Sequence, residues 1–140
     1  MKNILTTVLL IGFMVSGTMA FAHERAAVEG LNIVFGGEPE PILTDERHSL
    51  VWRFNDAETE ERVADLEDLQ AVITFGGHEH GPFTARGSRL NPGTYRTSHI
   101  FTQPGDGEVT LRFKRAGSDT VNMIAFAFTV HPRSDMEIPN

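Results

Sequence analysis

Between residues 28 and 130 the apolar positions alternate with polar ones in short, interrupted runs. Leu31, Ile33 and Phe35 alternate until Gly36-Gly37 and the Pro39/Pro41 pair break the run. Leu50, Trp52 and Phe54 form a second run, with Val51 and Arg53 on the other face, before Asn55-Asp56 turns the chain. Leu69, Ala71, Ile73 and Phe75 stop at Gly76-Gly77, and Tyr95, Thr97, His99 and Phe101 stop at Pro104-Gly105. Val109, Leu111 and Phe113 end near Gly117, and Ile124, Phe126, Phe128 and Val130 end at Pro132. A period of two sends alternate side chains to opposite faces, so each run reads as a strand with one buried face. No crossover helix separates the runs. They predict an all-β fold, an immunoglobulin-like antiparallel β-sandwich of about seven strands.

One stretch competes with that reading. Thr59 to Gln70 places Val63, Leu66 and Leu69 at helical spacing among many acids. A loop leading into an edge strand, with Val63 packed inward, fits the same residues and is the expectation here. Further on, Gly93 stands two residues before Tyr95, the single tyrosine, at the entry to a strand. This resembles the tyrosine corner of immunoglobulin-like sandwiches, in which the hydroxyl bonds backbone just upstream. Tyr95 is therefore expected to be structural.

The N-terminus has a different character. Lys2 is followed by an apolar run from Ile4 to Val15, then by small residues leading to Ala20-Phe21-Ala22. A basic start, a short apolar stretch and an A-x-A end describe a signal peptide over residues 1–22, with a domain over 23–140. The run is too short, and too interrupted by Thr6, Thr7, Gly12 and Ser16, to span a bilayer. The expected product is periplasmic or secreted, without a transmembrane anchor after cleavage.

Composition narrows the chemistry. The absence of cysteine from the 140 residues removes disulfides, thiolate catalysis, Cys-ligated zinc or iron–sulfur sites and a blue-copper centre. A formal net charge of −7 argues against a nucleic acid or an anionic lipid surface as partner. No nucleophile elbow, phosphate-binding glycine loop or HExxH is present, so nothing points to an enzyme.

A family resemblance rests on Gly37-Glu38-Pro39-Glu40-Pro41-Ile42-Leu43 and Leu50-Val51-Trp52-Arg53-Phe54-Asn55-Asp56. It continues through Val63, Leu66, Leu69-Gln70-Ala71-Val72, Phe75-Gly76-Gly77, Leu90-Asn91-Pro92-Gly93-Thr94-Tyr95 and Phe101-Thr102-Gln103-Pro104-Gly105. In this order the motifs resemble the YtkA-like domains, small secreted bacterial immunoglobulin-like modules. The resemblance spans about residues 28–130 and concerns strand and turn positions. It implies the fold and an association with copper or other metal-handling proteins, and it supplies no catalytic residues. The chain departs from the family in carrying His78-Glu79-His80-Gly81 directly after Gly76-Gly77.

The histidines are the candidate chemistry. His78 and His80 are expected on a glycine-flanked loop where both imidazoles can turn toward one ion. Neutral imidazole suits copper, zinc and nickel, and Glu79 could add a carboxylate. If cleavage follows Ala22, His23 becomes the first residue, and its α-amine and imidazole could chelate copper together with His78, His80 or His99. His99 lies mid-strand in phase with Tyr95 and Phe101, where a hydrogen-bonded core role competes with ligation. His48 and His131 lie at strand ends, where a solvated role is expected. Together these residues predict a non-catalytic metal-binding accessory domain, most plausibly for copper, with a membrane or periplasmic protein as a possible partner. The alternative is an immunoglobulin-like protein-interaction module with no metal; a copper oxygenase using His23 is a third reading, for which the chain is short.

Overall fold

Among the described residues, ten strands build two five-stranded sheets packed face to face. The computed structural model describes residues 23–139, and the signal-peptide segment 1–22 and its cleavage point lie outside them. The strands are β1 (His23–Val28), β2 (Leu31–Glu38), β3 (Ile42–Leu43), β4 (Arg47–Asp56) and β5 (Leu66–Phe75). They continue with β6 (His78–Thr84), β7 (Arg86–Gly87), β8 (Thr94–Ile100), β9 (Gly105–Arg115) and β10 (Asn122–His131). One sheet has the order β1-β2-β4-β8-β7 and the other β3-β10-β9-β5-β6. Every pairing is antiparallel except that of β3 with β10. A short 3-10 turn, Arg133–Met136, follows β10.

The alternation in the sequence is what joins the sheets. Leu31, Ile33 and Phe35 of β2 and Leu50, Trp52 and Phe54 of β4 point inward from the first sheet. Ala71, Ile73, Val109, Leu111, Phe113, Phe126 and Val130 meet them from the second. Trp52 and Phe54 are fully buried, and each such side chain contributes about 1.5–3 kcal/mol of hydrophobic stabilisation. Phe54 meets Tyr95 and Phe113 edge-on, with ring centroids 5.6 and 5.3 Å apart.

Residues 57–65 form a loop, as expected in preference to the helical spacing there, and Val63 packs into the core. The Asp56 carboxylate accepts the backbone N–H groups of Glu58 and Thr59, both at 2.9 Å, which holds it below the usual carboxylate range. An isolated bridge joins Asn55 to Arg62 and returns the loop to the edge of β4. Tyr95 is structural but makes no tyrosine corner. Its hydroxyl donates to the Ala64 carbonyl at 3.0 Å, pinning the far end of this loop instead of backbone just upstream.

The strand count exceeds the expected seven because β3 and β7 have two residues each, and because β1 and β6 are polar edge strands. An edge strand buries little of either face, so it leaves no alternation to read. Among the described residues no helix is long and apolar enough to cross a membrane.

Candidate metal centre

The loop expected around His78 and His80 is a strand. Gly76 and Gly77 have φ values of 59° and 77°, the two successive left-handed residues of a type I′ hairpin. The turn is complete within those two glycines, so His78 already pairs with Phe75 and His80 with Ile73. Directly opposed residues of an antiparallel pair share a face. His78 and His80 therefore stand on the side of β6 that carries Ile73 and Phe75, and Glu79 on the other. Because β6 is the sheet edge, both imidazoles remain exposed.

Immediately after His80, β6 bulges. Gly81 has φ 113°, and a Cβ there would lie 2.8 Å from the Ala71 carbonyl oxygen. The extra residue brings Phe83 into register with Ala71, on the same inward side as His80. The Phe83 ring then meets His99 of β8 edge-on at a centroid distance of 4.7 Å. Phe101, 6.1 Å from His99, joins Phe75 and Phe128 beneath them. His78, His80 and His99 thus belong to one flank, where the β6 edge overhangs the end of β8.

His99 is half-buried. A ring nitrogen, Nε2, lies 2.8 Å from the Thr97 hydroxyl, and burial holds the imidazole below its ordinary value of 6.5. Burial of this kind favours the neutral form of the ring. His48, its cross-strand neighbour, is 1% exposed rather than solvated at a strand end. Its Nε2 accepts the Leu43 N–H at 3.1 Å, and its Nδ1 donates to the Pro39 carbonyl at 2.9 Å. Both nitrogens are used, so His48 is a structural residue that sequence reasoning misplaced; its isolated polar signal within an apolar strand gave no hint of partners in the 39–43 segment. His131 is 47% exposed and lies 3.9 Å from Asp135.

The backbone of His23 pairs with Gly36 in β1, the edge of its sheet farthest from β7. Gly36, Val51 and Arg96 separate its row from β7, a spread of about 14 Å to β8 at ordinary strand spacing. The fold thus brings His78, His80 and His99 to one flank and sets His23 on the opposite edge. Among the described residues, no three His, Asp or Glu side chains are drawn together as a metal cage. What the flank offers is a pair of exposed imidazoles in line, with a third partly covered beside them.

No family model matches the chain, and no curated protein sequence does. Solved structures do share its fold. A copper-bound variant of FetP from uropathogenic Escherichia coli strain F11 has a TM-score of 0.57 at 15% identity, covering 77% of this chain and 94% of that one. The same FetP, recombinantly expressed in the periplasm, gives 0.58 at 14% identity over 77% and 93%. A DUF4426 family protein from Pseudomonas aeruginosa gives 0.61 at 10% identity over 79% and 96%. At these identities the likeness concerns the β-sandwich itself.

Proposed function

We propose that this chain is an exported metal-binding accessory domain, periplasmic or secreted, that handles copper and belongs with the YtkA-like domains. It carries out no catalysis of its own. The observation that carries this reading is the placement of His78 and His80 on one face of an exposed edge strand. Same-face neighbours on a strand lie about 7 Å apart at Cα, close enough for two imidazoles to meet one ion at about 2 Å each. His99 stands behind them under Phe83 and could join after a movement of that ring. Glu79, on the other side of β6, is not part of the pair. An open site with two or three nitrogen ligands suits an ion that is passed on rather than kept, because exchange needs free coordination positions. FetP, described as copper-bound and produced in the periplasm, lends support through a shared fold. His23, on the opposite edge, would make at most a separate terminal site.

Calorimetric titration of the exported protein with Cu(II) tests the reading. Stoichiometric binding is expected, and replacing both residues (His78→Ala and His80→Ala) should abolish it while leaving the unfolding transition in place. A double variant that binds like the parent would transfer the lead to the interaction-module reading.

A further inference from the structure

The second sheet has an open edge that the metal reading does not use. β3 pairs with β10 only at Val130 and His131. From Asn122 to Thr129, no strand among the described residues pairs with the side of β10 that faces away from β9. Two bonds give the direction of its backbone groups. The Ala127 N–H donates to the Glu24 carboxylate at 2.7 Å, and the His131 carbonyl accepts the Thr44 N–H at 3.0 Å. Backbone groups alternate sides along a strand, so those of Met123, Ala125 and Thr129 face the same open side.

Sheet edges are ordinarily guarded by charge, proline, a bulge or brevity. The other edges of this sandwich follow that rule. β6 carries Pro82 and its bulge, β1 carries Glu24 and Arg25, and β3 and β7 have two residues each. The open edge of β10 has none of these devices in its own sequence. Val121 to Val130 contains no charged residue and no proline, and β10 pairs with β9 in unbroken register. Met123 and Val121 stand exposed on this stretch. The guard is borrowed from β1, as the one bond from Glu24.

We propose that this edge pairs antiparallel with the same edge of a second copy, about a two-fold axis at Ala125. Under a two-fold axis a strand is its own antiparallel partner, and every contact occurs twice. With the axis at Ala125, Met123 faces the second copy's Ala127, and Val121 faces its Thr129. These pairs fill the open span and stop one residue short of Val130, where the β3 pairing begins. Odd-numbered residues meet odd-numbered ones, so the open N–H and C=O groups of the two strands face each other. The Ala127 N–H exchanges the Glu24 carboxylate for the second copy's Met123 carbonyl. Charge decides for a second copy over a foreign strand. Two chains of net charge −7 repel, so a surface for self-association must itself be neutral, as residues 121–130 are. An edge selecting a foreign strand would carry charges to specify it, and this one carries none. The pairing joins β6-β5-β9-β10 of each copy into one continuous sheet. His78 and His80 then lie at its two outer ends, so the copper reading stands or falls independently.

The test is sedimentation equilibrium of the exported protein with a chelator present, so that no metal bridges the copies. A dimer should form by about 100 µM. Ala125→Arg places like charges opposite each other across the axis and should weaken association at least tenfold, with the unfolding midpoint of the dilute protein unchanged. Because the chain has no cysteine, a single introduced one reports the register. Ala125→Cys should give a disulfide-linked dimer under oxidised glutathione, since directly opposed residues lie about 5.5 Å apart at Cα, within the span of a disulfide. Ala127→Cys, whose counterpart lies four residues along the paired strands, should not. A protein that stays monomeric up to about 1 mM would overturn the proposal. So would an Ala125→Arg variant that dimerises like the parent, or Ala127→Cys cross-linking as readily as Ala125→Cys.

Discussion

His99 stands directly opposite His48 in the β4–β8 register, and the two imidazoles are held in different ways. His48 spends both ring nitrogens on backbone, the Leu43 N–H and the Pro39 carbonyl, and so fastens the 39–43 segment beneath the sheet. His99 has the Thr97 hydroxyl on one nitrogen and Phe83 over its ring. One histidine belongs to the fold. The other retains the freedom to change partners.

That difference sets the first expectation. His48→Ala removes an acceptor and a donor from buried backbone groups and leaves a hole, at a cost of about 2–4 kcal/mol. His99→Ala loses a hydroxyl contact and part of a ring contact, at about 1 kcal/mol. Denaturant unfolding of the two variants side by side checks the order, and equal costs would contradict it.

Tyr95→Phe tests the pin on the loop. It deletes one hydrogen bond to the Ala64 carbonyl and keeps the ring against Phe54. A loss of about 1 kcal/mol is expected, with faster amide exchange confined to residues around 56–65. Exchange that speeds up across the sheets would mean that the hydroxyl supports the core instead.

Much of this was legible beforehand. Residues such as Phe35, Trp52, Ile73 and Phe113 alternate because their strands are central, and central strands must bury one face. The edge strands were hidden for the converse reason: β6 has the sequence HEHGPFT, with Phe83 as its single large apolar residue. His78 and His80 were expected on a loop and lie on a strand, since the completeness of a two-residue turn depends on the φ of Gly76 and Gly77.

The pH dependence of stability follows from His99. Burial holds the folded imidazole below 6.5, so the unfolded chain takes up its proton first as pH falls. The contribution is fully present above 6.5 and is lost as pH falls through the depressed folded value. Denaturant midpoints should thus decline on the acid side of 6.5, and His99→Asn should flatten that decline. A variant with an unchanged slope would assign the dependence to other groups.

The claim that His78 and His80 share a copper ion is tested most directly by magnetic resonance of the imidazoles. Protein with nitrogen-15-labelled histidine would be titrated with substoichiometric Cu(II), whose unpaired electron broadens the resonances of nearby nuclei. The ring signals of His78 and His80 should vanish first and together, those of His99 next, while those of His131, on β10 and three strands across the sheet from β6, persist longest. Loss of the His131 signals ahead of theirs, or uniform fading of all the rings, would contradict a site on β6.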